Sequence, residues 1–255
     1  PAARLALAEQ LGLARSQDAA DATRPTIAVA GEIPAGGARQ ITVSDTNGRS
    51  TYRALNLQLN KDRGTDRYGL RLSYTLSKLE NDTDDINFRA SNANDFDADR
   101  GPSANDRRHV LSAVGFFYPL AGLTVTAAGL FQSGQPINFV PDAAIFGSQD
   151  LNGDGRSFGE NFVGNSDRYP GLSRNAGRLP WSKTVDLGLR YDWRLAGQTV
   201  QLSADVFNVF DWNNLSGFAN AATTSNQIQF GGDAAFIQRN AGPPRQFQFG
   251  MAWQF

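Results

Sequence analysis

The chain has 255 residues, no cysteine, and 24 lysines and arginines against 25 aspartates and glutamates. That length fits one large domain or two small ones, the charge balance lacks the basic surplus of a nucleic-acid partner, and the absent cysteine removes disulfides, thiolate metal sites and thiol nucleophiles. No stretch reaches the roughly 18 apolar residues of a membrane-spanning helix. The mean hydropathy is negative, but a membrane signal carried by alternation along strands leaves the mean unmoved.

The chain opens on Pro1 with neither an initiator methionine nor a signal peptide, which reads as a cut product. Ala2, Ala3, Leu5, Leu7, Ala8, Leu11 and Leu13 predict a short helix over residues 1–15, and Asp45-Thr46-Asn47-Gly48 predicts a hairpin over 39–50. Strict alternation begins next. Leu55, Leu57 and Leu59 alternate with Asn56, Gln58 and Asn60, and Tyr68, Leu70, Leu72, Tyr74 and Leu76 alternate with Arg71, Ser73 and Thr75. Residues 107–118 and 123–132 are strand-like but diluted by Ala and Gly. Val185, Leu187, Leu189, Tyr191 and Trp193 alternate with Asp186, Arg190 and Asp192, and Val200, Leu202, Ala204 and Val206 with Gln201, Ser203 and Asp205. The chain closes on Phe247, Phe249, Met251, Trp253 and Phe255 at one parity, with Gln246, Gln248, Gly250, Ala252 and Gln254 at the other. Side chains alternate across a strand, so each segment presents an apolar and a polar face, as lipid on one side and a wet lumen on the other require.

The connections alternate too. Those at 62–66, 119–122 and 194–197 are short; those at 79–106, 133–183 and 209–245 are long. Outer-membrane barrels have short periplasmic turns and long extracellular loops. This rule places Phe255 in the periplasm and residues 1–49 outside the cell, as a loop segment preceding transmembrane strands over 50–255. It yields seven crossings. An odd count cannot close, and an open edge leaves backbone groups unpaired in lipid. The expected fold is therefore all-β: a transmembrane antiparallel β-barrel, of which this is the C-terminal portion, pairing with strands elsewhere. An eighth strand at 226–230 would instead complete a small barrel.

Several phrases resemble the C-terminal barrel of TonB-dependent outer-membrane receptors, most closely those with a carboxypeptidase-regulatory-like domain. They are Tyr74-Thr75-Leu76-Ser77-Lys78, Asp106-Arg107-Arg108-His109, Gln132-Ser133-Gly134-Gln135-Pro136, Phe207-Asn208-Val209-Phe210-Asp211 and the run from Pro244 to Phe255, covering roughly residues 50–255. The resemblance implies a barrel of about 22 strands around a plug domain. It also implies TonB-driven uptake of a scarce or large nutrient across the outer membrane of a Gram-negative bacterium, and reading of the terminal aromatics by the barrel-assembly machinery. The plug and the TonB-contacting box have no counterpart in this sequence. The alternative is a passive or structural barrel, porin-like or part of a surface-assembly scaffold.

Candidate site residues are few. Asp150, Asn152 and Asp154, with Gly155, fit the first half of a calcium loop, but Asn161 stands at the twelfth position and Glu160 lies one place early. The same residues also suit an Asn/Asp/Gly-rich loop making its own turns. A structural calcium is the one cofactor this pattern suggests. Glu80, Asp82, Asp84, Asp85, Asp95, Asp97 and Asp99 make one loop acidic, either a cation-steering surface or a solvated one. Arg71, Asp186, Arg190, Asp192 and Asp205 are expected to face the lumen, toward the plug, the substrate or one another. Tyr118, Tyr191, Trp193 and Phe255 suggest a periplasmic aromatic girdle. The lone His109 has Ser112 at the opposite parity, so no Ser–His pair forms and no reaction of its own is expected.

Overall fold

A computed structural model describes residues 46–84, 96–140, 169, 171–220, 227–229 and 236–255. The helix over 1–15, the calcium loop with Asp150, Asn152, Asp154 and Glu160, and most of the 39–50 hairpin lie outside them. The wall consists of seven strands in sequence order: β1 (Ser50–Lys61), β2 (Tyr68–Asn81), β3 (His109–Phe117), β4 (Leu123–Gln132), β5 (Ser182–Leu195), β6 (Gln198–Phe207) and β7 (Gln246–Gln254). Each pairs antiparallel with the next, and a two-residue strand, Gly101–Pro102, adds to the upper end of β2. Among the described residues β1 pairs only with β2 and β7 only with β6, so both sheet edges are open.

The register aligns the apolar parity of every strand. Tyr68 lies opposite Phe117, Phe117 opposite Val125, Val125 opposite Leu189, Leu189 opposite Ala204 and Ala204 opposite Phe249. On the other face, Gly188 lies opposite Asp205 and Asp205 opposite Gln248. A slip of one residue in any pair would turn that strand's hydrophobic set to the wrong side, so the two-faced pattern fixes the register. Between the strands there is almost no conventional core. The buried apolar side chains are Ile137 and Leu179 among the described residues, whereas Phe249 is 80% and Met251 76% exposed. A sheet with this much bare apolar surface on one face is matched to lipid rather than to water.

The short connections are tight turns. Between β5 and β6 only Ala196 (φ 50°) and Gly197 (φ 83°) intervene. Two consecutive left-handed residues are those of a type I′ hairpin, whose twist suits the strands it joins. Alanine in that conformation costs about 1–2 kcal/mol. Ala196→Asn is therefore expected to stabilise the barrel by about 1 kcal/mol, read as a higher urea midpoint in detergent.

The long connections carry their own strands. Pro136–Val140 pairs antiparallel with Gly177–Arg178 and parallel with Gln227–Gln229, and Leu215–Asn220 pairs with Phe236–Ala241. The segment Gln227–Gln229 thus belongs to a loop sheet rather than serving as an eighth wall strand.

Candidate functional site

Three of the resembling phrases meet at the end of the sheet that carries the long connections. Asp106 stands just before β3 and is fully buried; its carboxylate accepts from the Leu79 amide at 2.7 Å and is ion-paired to the Arg178 guanidinium. Arg107 donates to the Ser133 carbonyl at 2.9 Å, and the Ser133 hydroxyl accepts from the His109 amide at 3.1 Å. Gly134 lets the two limbs of the second long connection touch, because a Cβ there would lie 1.5 Å from the Leu179 carbonyl oxygen. Burial, then repulsion from Arg178, lowers the Arg107 pKa from its ordinary value, without discharging a guanidinium near neutrality.

Arg174 joins the first two long connections. Its side chain is 1% exposed. It donates through Nε to the Asp99 carbonyl at 2.9 Å and through Nη2 to the Asn81 carbonyl at 2.6 Å, with further bonds to the Asn81 amide oxygen and the Asp84 carboxylate. Asn175 adds bonds to the Pro102 carbonyl (2.8 Å) and Asp84 (3.1 Å), while its amide donates to Asn138 Oδ1 at 2.7 Å. A buried guanidinium needs its donors met, and this one, carried by the second connection, is met by groups of the first. The acidic loop therefore spends much of its charge internally. Asp84 faces Arg174, and Asp82 accepts the Arg49 amide through both oxygens at 2.8 and 2.9 Å. Glu80 pairs with Lys78, Asp99 is buried and Asp97 is exposed; Asp85 and Asp95 lie outside the described residues.

Burial alone would push the Asp84 carboxyl up, but hydrogen bonds from Asn81 and Ser103, the Arg174 charge and the Ala104 amide outweigh it and hold the pKa below the ordinary value. A carboxylate depressed in the folded state stabilises fully above its unfolded pKa and loses that contribution as pH falls through the folded value. Amide protection of residues 79–84 is accordingly expected to stay constant through mild acid and to fall only below about pH 3.9, measured by hydrogen exchange.

A second joint forms after β6. Asn208 and Asp211 adopt left-handed backbones, with φ of 48° and 54°. The Asn208 amide donates to Asp186 Oδ1 at 2.7 Å, its side-chain nitrogen to the Trp212 carbonyl at 3.0 Å, and Asp211 accepts the Arg245 amide at 2.9 Å. Asn214 clamps the Lys183 backbone, accepting from its amide at 2.6 Å and donating to its carbonyl at 2.8 Å. The spacing of Asn208, Asp211 and Asn214 thus ties the loop to the entry of β5 and the approach to β7.

The structure places Arg71, Asp186, Arg190, Asp192 and Asp205 on the polar face. Asp192 accepts from Gln201 at 2.8 Å. Arg71, Arg190 and Asp205 have neither hydrogen bonds nor ion pairs among the described residues, and Gly188 leaves room for the Asp205 carboxylate. Val110, Val114, Phe116 and Leu130 share this face. On the apolar face Tyr68, Tyr191, Trp193 and Trp253 gather toward the short turns, and Arg63 lies 4.1 Å from the Tyr118 ring. Phe247, Phe249, Met251 and Trp253 line the outer parity of β7, and Phe255 is 97% exposed beyond it. His109 accepts or donates at 2.8 Å to the Tyr74 hydroxyl and stacks on Trp181, while Ser112 points to the opposite face. Among the described residues no group of three or more His, Asp or Glu is arranged to hold a metal. The sequence reading did not single out Arg174 and Arg178, which are two of five basic residues in the 133–183 connection and carry no local mark.

Comparison with curated proteins and with solved structures gave no match. The family model described as "Outer membrane beta barrel domain" matches residues 7–248. Two-faced antiparallel strands, an aligned apolar register and short connections alternating with long ones are what that family requires. The chain belongs to the outer membrane beta barrel domain family, and its place is the outer membrane of a Gram-negative bacterium.

Proposed function

We propose that this chain forms part of the wall of a TonB-dependent receptor that takes up a scarce or large nutrient, with no chemical reaction of its own. The observation that carries the reading is the polar face. Arg71, Arg190 and Asp205 lack partners among the described residues, and Val110, Val114, Phe116 and Leu130 lie on the same side. A water-filled channel gains nothing from an apolar patch, whereas a folded plug domain would cover it and pair the charges. The open edges of β1 and β7 fit the same reading, since strands outside the described residues, in this chain or another, must pair with them in lipid.

Planar-bilayer conductance of the assembled protein tests this. A closed pore, opened by the paired reversal Arg190→Glu and Asp205→Arg, is expected, together with nutrient uptake that stops when the TonB protein is removed. Steady conductance in the native protein and TonB-independent uptake would favour a porin-like barrel instead. The outward aromatics of β7 and Phe255 are proposed as the feature read by the barrel-assembly machinery. Deleting Phe255 is expected to lower the surface-assembled fraction severalfold, scored by surface labelling; undiminished labelling would end that proposal.

A further inference from the structure

We propose that the upper rim of the apolar face carries a binding site for the phosphorylated headgroup of an outer-leaflet glycolipid, built around Lys183. A groove of about 410 Å³ lies there between Pro180, Trp181, Lys183, Trp212, Asn213 and Asn214. Lys183 shares the parity of Val185 and Leu187 and lies opposite Phe131. It also stands at the end of β5 that joins a long connection, which puts it at the outer leaflet when those connections are extracellular.

The walls are pre-organised. Trp181 stacks on His109 at 5.7 Å, and His109 is held by the Tyr74 hydroxyl. Trp212 stacks on Phe210 at 4.7 Å and meets Phe131 edge-on at 6.3 Å. The Lys183 backbone is clamped at both ends by the Asn214 amide. Its ammonium sits 5.5 Å from the Trp212 ring, with no carboxylate within 4.0 Å among the described residues. A lysine that merely snorkels would extend along apolar surface into water. This one stands in a groove lined by two indoles, 5.5 Å from the Trp212 ring and next to the exposed Asn213, with its charge open to an anion from outside. A phosphorylated sugar supplies one for the ammonium, a ring face for the indoles and hydroxyls for the amide.

The test titrates the detergent-purified protein with diphosphoryl lipid A, its dephosphorylated counterpart, phosphatidylglycerol and inorganic phosphate, reading bound lipid by native mass spectrometry. Diphosphoryl lipid A is expected to bind the native protein. Lys183→Ala should weaken it about fivefold, as expected for one interfacial charge, Lys183→Arg should restore most of it, and Trp212→Ala should weaken it too. Retention of the heat-modifiable folded band separates lost binding from lost folding, and the Lys183 pair decides the matter if the tryptophan variant fails to fold. Equal binding by Lys183→Ala, equal binding of the dephosphorylated lipid, or a preference for phosphatidylglycerol overturns the proposal. So does occupancy by inorganic phosphate alone, or a dimer that Lys183→Ala dissociates.

Discussion

Arg174→Met is expected to free the first two long connections from each other while leaving the seven-stranded wall intact. The guanidinium is buried and joins Asp84, Asn81 and the Asp99 carbonyl, groups of the first connection that lie far from Arg174 in sequence. Removing one partner of a buried charged network costs roughly 3–5 kcal/mol, because the remaining polar groups lose their compensation. Methionine keeps the volume but supplies no donor, so Asn81 and Asp84 must recruit water and the contact opens. The loss falls on the loops, since the wall is held by its own ladder of backbone hydrogen bonds. Hydrogen exchange should accelerate in residues 79–84 and 99–106 and remain slow in β3 and β4. Limited proteolysis should cut the loops first. Unchanged exchange in 79–84 would show that the network is not what holds the connections together. Asp84→Ala should release the same residues less completely, because Arg174 would keep its two carbonyl acceptors.

Leu202→Arg and Gln201→Arg should give opposite results although the positions are adjacent. Leu202 lies on the apolar face between Tyr191 and Met251, whereas Gln201 lies on the polar face between Asp192 and Ala252. An arginine facing lipid near mid-strand costs about 2–4 kcal/mol, falling toward the interfaces. Leu202→Arg is therefore expected to lose most of its folded, heat-modifiable band and its surface exposure. At position 201 arginine replaces a side chain that already bonds Asp192 and would form an ion pair there, so assembly should match that of the native protein. Equal assembly of both variants would overturn the assignment of faces.

Much of the wall was legible because a strand that separates lipid from water must alternate. The parities of β1, β2, β5, β6 and β7 could be followed residue by residue. The pattern was weaker in β3 and β4 for a reason visible in the register. Their apolar face carries Ala113, Gly115, Ala127 and Gly129, while bulkier Val114, Phe116 and Leu130 turn to the polar side. The site was less legible. The five charges on the polar face followed from parity, and the phrases around Asp106, Ser133 and Asn208 could be singled out as recurring. Their tasks could not be read, because each bonds to a segment far away in sequence. The acidic loop illustrates the gap: a count of its carboxylates suggests a field, whereas Asp82 and Asp84 are engaged by a backbone amide and a buried guanidinium.

By itself the sequence determined the element type, the two faces and the alternation of short and long connections, since these depend on local periodicity and turn chemistry. Only the tertiary structure decided that the apolar parities align across all seven strands, that Gln227–Gln229 joins a loop sheet, and that Arg174 and Arg178 bind the long connections together. Those outcomes rest on pairings between distant segments, where burial and the need to satisfy every buried donor select one partner among many that local sequence leaves equal.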